Sequence, residues 1–114
     1  MKTYDETHCQ KLVLSGQWKK VNKLLLNGTQ QEKAWTLDAL GRAAIGNDEC
    51  YNHLVESFLG AKDKETKIAA IQALGKCGRS AALSQLEYAS AHTDDPELLD
   101  ALKEARHQLR NQGR

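Results

Sequence analysis

Leucine and alanine recur at helical spacing along almost the whole chain, and no stretch alternates apolar and polar residues over several positions. The pattern predicts an all-helical protein. Glycine, asparagine and one Asp-Pro punctuate it, at Gly16, Asn27-Gly28, Gly46-Asn47, Gly60, Gly78 and Asp94-Asp95-Pro96. Such residues end helices or open turns. They cut the chain into seven predicted helices, over 4–14, 17–26, 30–44, 48–59, 64–77, 80–91 and 95–110.

The predicted helices follow two alternating templates. Leu37, Ala39, Leu40 and Gly41 return 34 positions later as Ile71, Ala73, Leu74 and Gly75. In the other set, Val21 and Leu24 correspond to Tyr51 and Leu54, and these to Leu83 and Leu86, an offset of 32 for the last step. The two offsets differ because Gly41 and Gly46 are five apart, whereas Gly75 and Gly78 are three apart. A helix-turn-helix unit repeating every thirty-odd residues predicts stacked hairpins, because no unit buries its own apolar surface.

Stacking predicts different faces for inner and terminal helices. At about 100° per residue, helix 64–77 is apolar or small nearly all round, through Ile68, Ala69, Ala70, Ile71, Ala73, Leu74 and Cys77, leaving a wet ridge of Glu65, Gln72 and Lys76. It needs cover on both flanks. Helix 95–110 places Leu98, Leu99, Leu102, Ala105 and Leu109 on one face and Asp100, Lys103, Glu104, His107 and Arg110 opposite. The first helix is one-sided too, with Cys9, Leu12 and Val13 against Glu6, Thr7, Gln10 and Lys11. Both terminal helices read as caps.

The segment DKETKIAAIQALGKCGRSAALSQL, residues 63–86, resembles the HEAT-repeat pattern without gaps, in particular its bilin-lyase-like subgroup. Asp63, Glu65, Ala73, Leu74, Gly75 and Gly78 match that pattern, as do Asp95, Pro96 and Glu97 in the last unit, while Arg79 and Ser80 depart from the turn's usual Asp-Pro. The resemblance covers nearly the whole chain as about three and a half repeats. It implies a single α-solenoid domain over 1–114, a right-handed superhelical stack. Its units are a capping hairpin 4–26, repeats 30–59 and 64–91, and a capping helix 95–110. For function it implies a binding scaffold, since fold does not fix activity. In the residues themselves, Asp63 and Asp95 suit helix N-caps, and Pro96 a first helical turn. Gly41, Gly75 and Gly78 are expected to turn the chain in left-handed conformation.

Composition narrows the classes. A 114-residue chain with 40% hydrophobic and 27% charged residues, one proline and a net charge of +1 has no whole-molecule field toward nucleic acid or membrane. The start is acidic where a signal peptide is basic, and no apolar run approaches spanning length. Three widely spaced cysteines, Cys9, Cys50 and Cys77, suit reduced thiols. The expectation is a soluble cytoplasmic monomer.

The resemblance implies that the second helix of each hairpin lines a concave groove. Its non-core positions are Lys19, Asn22, Lys23 and Leu26, then Glu49, Asn52, His53 and Glu56, then Ala81, Ser84, Gln85 and Tyr88. This mixed row suits a protein or peptide better than a phosphate backbone. Trp18, at the start of its helix, reads as an exposed interface residue, whereas Trp35 reads as core between the first two repeats. The expected partner-binding set is Trp18, Lys19, Asn22, Lys23, Asn52, His53, Glu56, Ser84, Gln85 and Tyr88. The alternative is a nucleic-acid module using Lys19, Lys20 and Lys23, with Arg106, Arg110 and Arg114 at the other end. No CxxC, HxxxH, His-Glu pair, nucleophile elbow or phosphate loop occurs. No enzyme, metal or cofactor is therefore expected.

Overall fold

Asp5 opens the first helix by accepting the His8 backbone N–H at 2.8 Å, and capping of this kind sets most of the helix starts. In the computed structural model, which describes residues 4–112, the helices are α1 (Glu6–Leu14), α2 (Trp18–Asn27), α3 (Gln30–Ala43), α4 (Asp48–Gly60), α5 (Lys64–Lys76), α6 (Ser80–Ala91) and α7 (Pro96–Gln112). No strand occurs among the described residues. Residues 1–3, 113 and Arg114 lie outside them. Each predicted segment is a helix, with ends shifted by a residue or two. The extra turn between Gly41 and Gly46 is taken up by a short 3-10 helix, Ala44–Gly46.

Asp63 and Asp95 cap as the sequence predicts. Asp63 accepts from Thr66 N at 3.1 Å, and Asp95 accepts from Glu97 N at 2.9 Å with Pro96 first in the helix. Sequence reading missed the capping box at α3. There Thr29 accepts from Glu32 N and Glu32 accepts from Thr29 N at 2.8 Å. The other Glu32 oxygen accepts the Tyr4 N–H at 2.8 Å. Those donors, Tyr4 first and Thr29 next, hold its carboxyl below the usual range although the residue is buried.

Helices α1, α3, α5 and α7 pack side by side in chain order, while α2 sits against α1 and α3, α4 against α3 and α5, and α6 against α7 and α5. The smallest extent, 18 Å, is about two helix diameters. Helix α5 is covered on both flanks, and Ala70, Ile71, Ala73, Leu74 and Gly75 are buried. The one-sidedness of α1 and α7 holds: Cys9, Leu12 and Val13 are buried on one, and Leu102, Ala105 and Leu109 on the other. Leu99, expected on the dry face of α7, is exposed.

Contacts between neighbouring odd helices recur in register. Gln30 at the start of α3 reaches the α5 cap Asp63 at 3.1 Å, and Lys64 at the start of α5 reaches the α7 cap Asp95 at 2.9 Å. Gly41 faces the Ala73 backbone, and Gly75 faces Ala105. These two glycines correct a sequence expectation. They lie inside helices rather than in turns, and what they supply is proximity: a Cβ on Gly41 would stand 2.5 Å from the Ala73 carbonyl oxygen. Gly78, with φ at 66°, is the left-handed turn glycine that was expected.

Lys76 is a second correction. The ridge residues Glu65 and Gln72 are exposed, but Lys76 is half-buried and pairs with Asp38 of α3 at 2.7 Å. Arg42 approaches the other Asp38 oxygen at 2.7 Å. Burial alone would raise the Asp38 carboxyl, yet hydrogen bonds from Lys76 and Arg42 outweigh it and hold the group low. Lys76→Asp would set two carboxylates against each other. It is expected to destabilise the protein by about 1–2 kcal/mol, with Lys76→Met intermediate, as read by urea unfolding. Equal stability of all three proteins would refute the pairing.

Candidate functional site

The even helices leave furrows because they pack on the odd layer more closely than on one another. Their outward turns carry the predicted row, but α4 stands between α2 and α6 and splits the face in two. Asn22, His53 and Glu56 line a depression between α2 and α4, together with Leu25, Leu26, Ser57 and the Gly60–Asp63 turn. Gln85 and Tyr88 line a separate furrow between α4 and α6. Lys19, Lys23, Asn52 and Ser84 are exposed and line neither. The candidate residues therefore do not share one groove.

Trp18 is not the free edge residue that was expected. It is half-buried, its ring stacks on His53 with centroids 4.4 Å apart, and its indole N–H donates to Glu49 Oε2 at 3.0 Å. His53 is consequently covered, its side chain only 18% exposed, with Nδ1 3.9 Å from Glu56 Oε1, beyond hydrogen-bond reach. Both aromatic groups are engaged in joining α2 to α4. Trp35 is half-buried and packs against the core. Lys19, Lys20 and Lys23 make no ion pair among the described residues.

Arg79, which departs from the repeat pattern, joins the start of α6 to the turn between α3 and α4. It donates to the Ala44 carbonyl at 2.7 Å and to Asp48 at 2.8 Å, and lies over the Tyr51 ring. This closes one end of the space between α4 and α6. At the other end that space opens into an apolar furrow of about 210 Å³. Its floor is Phe58, Ile71 and Leu102, all buried, and Leu98 forms one wall. Leu59 and Tyr88 stand on the rim, 64% and 68% exposed. Tyr88 stacks on His92 with centroids 4.0 Å apart, and His92 Nδ1 lies 2.8 Å from the Tyr88 carbonyl oxygen. His92, itself exposed, thus backs the Tyr88 side of the rim.

Sequence reading missed Leu59, His92 and Lys67. The signal for Lys67 was present: it sits four residues before Ile71, on the apolar side of a helix whose wet ridge lies elsewhere. Its ammonium donates to the Phe58 carbonyl at 2.7 Å and hangs 4.3 Å from the Phe58 ring centroid.

Among the described residues no group of three or more His, Cys, Asp or Glu side chains is placed to hold a metal ion. The three cysteines are buried and unpaired, and burial pushes each thiol up, which disfavours the reactive thiolate. No described helix is long and apolar enough to cross a membrane. Comparison of the chain with protein-family models, with curated proteins and with solved structures returns no match. Fold and site together define an all-helical protein with a small apolar furrow lined by α4, α5, α6 and α7.

Proposed function

We propose that the protein is a non-enzymatic binding scaffold, a HEAT-like α-solenoid whose α4–α6 furrow receives a protein or peptide partner. The observation that carries this reading is the furrow itself. An apolar floor rimmed by two exposed large side chains, Leu59 and Tyr88, leaves apolar surface in water that a partner would cover. The recurring ties from Gln30 to Asp63 and from Lys64 to Asp95 support the stacked-repeat part of the reading. Buried free thiols fit a reducing cytoplasm.

The residues assigned to contact are revised. Gln85 and Tyr88 stay, Leu59 joins them, and Trp18 and His53 become supports. Tyr88 offers a large ring of restricted freedom with a polar end, the character of an interface anchor. Asn22, Glu56, Lys19, Lys23, Asn52 and Ser84 would serve at most as a polar margin. Nucleic-acid binding through Lys19, Lys20 and Lys23 is favoured by their exposure but opposed by Glu49 and Glu56 alongside.

Selection of the intact protein against a random-peptide library tests this. For a selected peptide, Tyr88→Ala and Leu59→Ser are each expected to weaken binding tenfold or more, since a buried anchor contributes about 2 kcal/mol. Thermal stability should stay unchanged because both side chains are exposed. Arg42→Ala, on α3, should bind normally. No selected peptide, together with tight capture of a labelled DNA duplex lost on substituting Lys19, Lys20 and Lys23, would overturn the proposal in favour of nucleic acid.

A further inference from the structure

Among the described residues, Lys67 is the one Lys, Arg, Asp or Glu side chain lining the furrow, which also carries the His92 imidazole. Two other half-buried cations have carboxylates, Lys76 with Asp38 at 2.7 Å and Arg79 with Asp48 at 2.8 Å, while Lys33 and Arg106, also half-buried, have none among the described residues but do not line the furrow. Lys67 pairs with no carboxylate among the described residues. Burial alone holds its ammonium below the usual lysine range. Part of its role is local, because Phe58 lies in the last turn of α4, where carbonyls lack intrahelical donors and the helix dipole favours a cation. That bond uses one ammonium hydrogen of three.

A half-buried ammonium with spare donors, set in apolar walls, favours an anion that brings its own apolar body. The volume of about 210 Å³ is below the roughly 300–1,000 Å³ of clefts that engulf whole small molecules, so it fits one or two side chains. A polypeptide carboxyl terminus joins a carboxylate and a side chain at a single Cα, which matches an ammonium and an apolar floor one helical turn apart at Lys67 and Ile71. An internal Asp or Glu would fill the apolar space with its own carboxylate stem. A long acyl chain would outrun the space.

Resting on the peptide-binding reading above, we infer that the α4–α6 furrow captures the free carboxyl terminus of a partner polypeptide, with the terminal carboxylate on Lys67 and an apolar last side chain against Phe58, Ile71, Leu98 and Leu102. Half-buried Gln85 and the exposed Tyr88 stand along the path of the preceding residues, where an amide and a phenol hydroxyl can bond a partner's backbone.

The test uses two random-peptide libraries screened on the full chain, one displayed with free carboxyl ends and one with those ends fused to the carrier. Enrichment is expected only from the first, with Leu, Ile, Phe or Met in last place. The enriched peptide, synthesised as acid and as carboxamide, should bind at least tenfold more tightly as the acid, and Lys67→Met, which keeps the apolar stem, should erase that preference. Acid and amide binding alike, or enrichment from the fused library alone, overturns the carboxyl-terminus assignment while leaving peptide binding intact. Enrichment from neither library overturns both. Decanoate shifting the NMR signals of Phe58 and Leu98 with no peptide enriched would assign the furrow to a lipid and also refute it. The acid-against-amide comparison needs only the wild-type protein, so a poorly folded variant does not blunt the result.

Discussion

Leu74→Asp is expected to abolish the cooperative thermal transition seen by far-ultraviolet circular dichroism. Leu74 is wholly buried on α5, the helix that touches α3, α4, α6 and α7, so a carboxylate there meets no cation and no water. The substitution forfeits about 1.5–3 kcal/mol of apolar burial and leaves an unpaired charge or a shifted, neutral but unsatisfied acid. Together these amount to about 5 kcal/mol or more, set against a total stability of about 5–15 kcal/mol for an ordinary domain. Gln72→Asp, on the exposed ridge of the same helix, should change stability by no more than about 0.5 kcal/mol. Comparable losses from the two would mean that α5 is not the covered central helix.

What the sequence disclosed was what depends on neighbours along the chain. Asp63, Asp95 and Pro96 act within one turn of where they sit, so their capping was legible. The faces of α1 and α7 follow from spacing alone. What stayed hidden depends on partners far along the chain. Asp38 meets Lys76 across 38 positions, and nothing in the spacing of α5 says that its ridge is closed there by α3. Trp18 and His53 read as outward-facing in the sequence, but the approach of α2 to α4 makes them cover each other and lets Trp18 pack against the core. The furrow is assembled from Phe58 to Leu102, spanning four helices, and no local pattern could announce it. For Gly41 and Gly75 the residue was seen and its reason misread, because a glycine that bends a chain and a glycine that admits a neighbour look alike in one sequence.

That distinction has a measurable consequence. Gly41→Ala is expected to destabilise the protein more than Gly75→Ala, although each replaces glycine in a helix, where alanine is intrinsically favoured by about 1 kcal/mol. At Gly41 the new Cβ would meet the Ala73 carbonyl oxygen at 2.5 Å and its carbonyl and α carbons at 3.1 Å. All three are backbone, so relief requires α3 and α5 to move apart and loosens the contact on which Leu40 and Leu74 are packed. Overpacking of this kind costs about 1–3 kcal/mol, with rigid surroundings at the upper end. At Gly75 the tightest contact is Gln108 Oε1 at 2.8 Å, the end of a flexible side chain that can swing aside. The remaining contacts there, to Ala105 at 3.0 and 3.1 Å, ask for a smaller shift. Urea unfolding of the single variants should therefore order them wild type, Gly75→Ala, Gly41→Ala in falling stability. Gln108→Ala should partly rescue Gly75→Ala, whereas Ala73→Gly should not rescue Gly41→Ala, since the obstructing atoms at 73 belong to the main chain. Rescue by Ala73→Gly, or a Gly41→Ala protein as stable as wild type, would show that α3 and α5 do not approach backbone to backbone at this point.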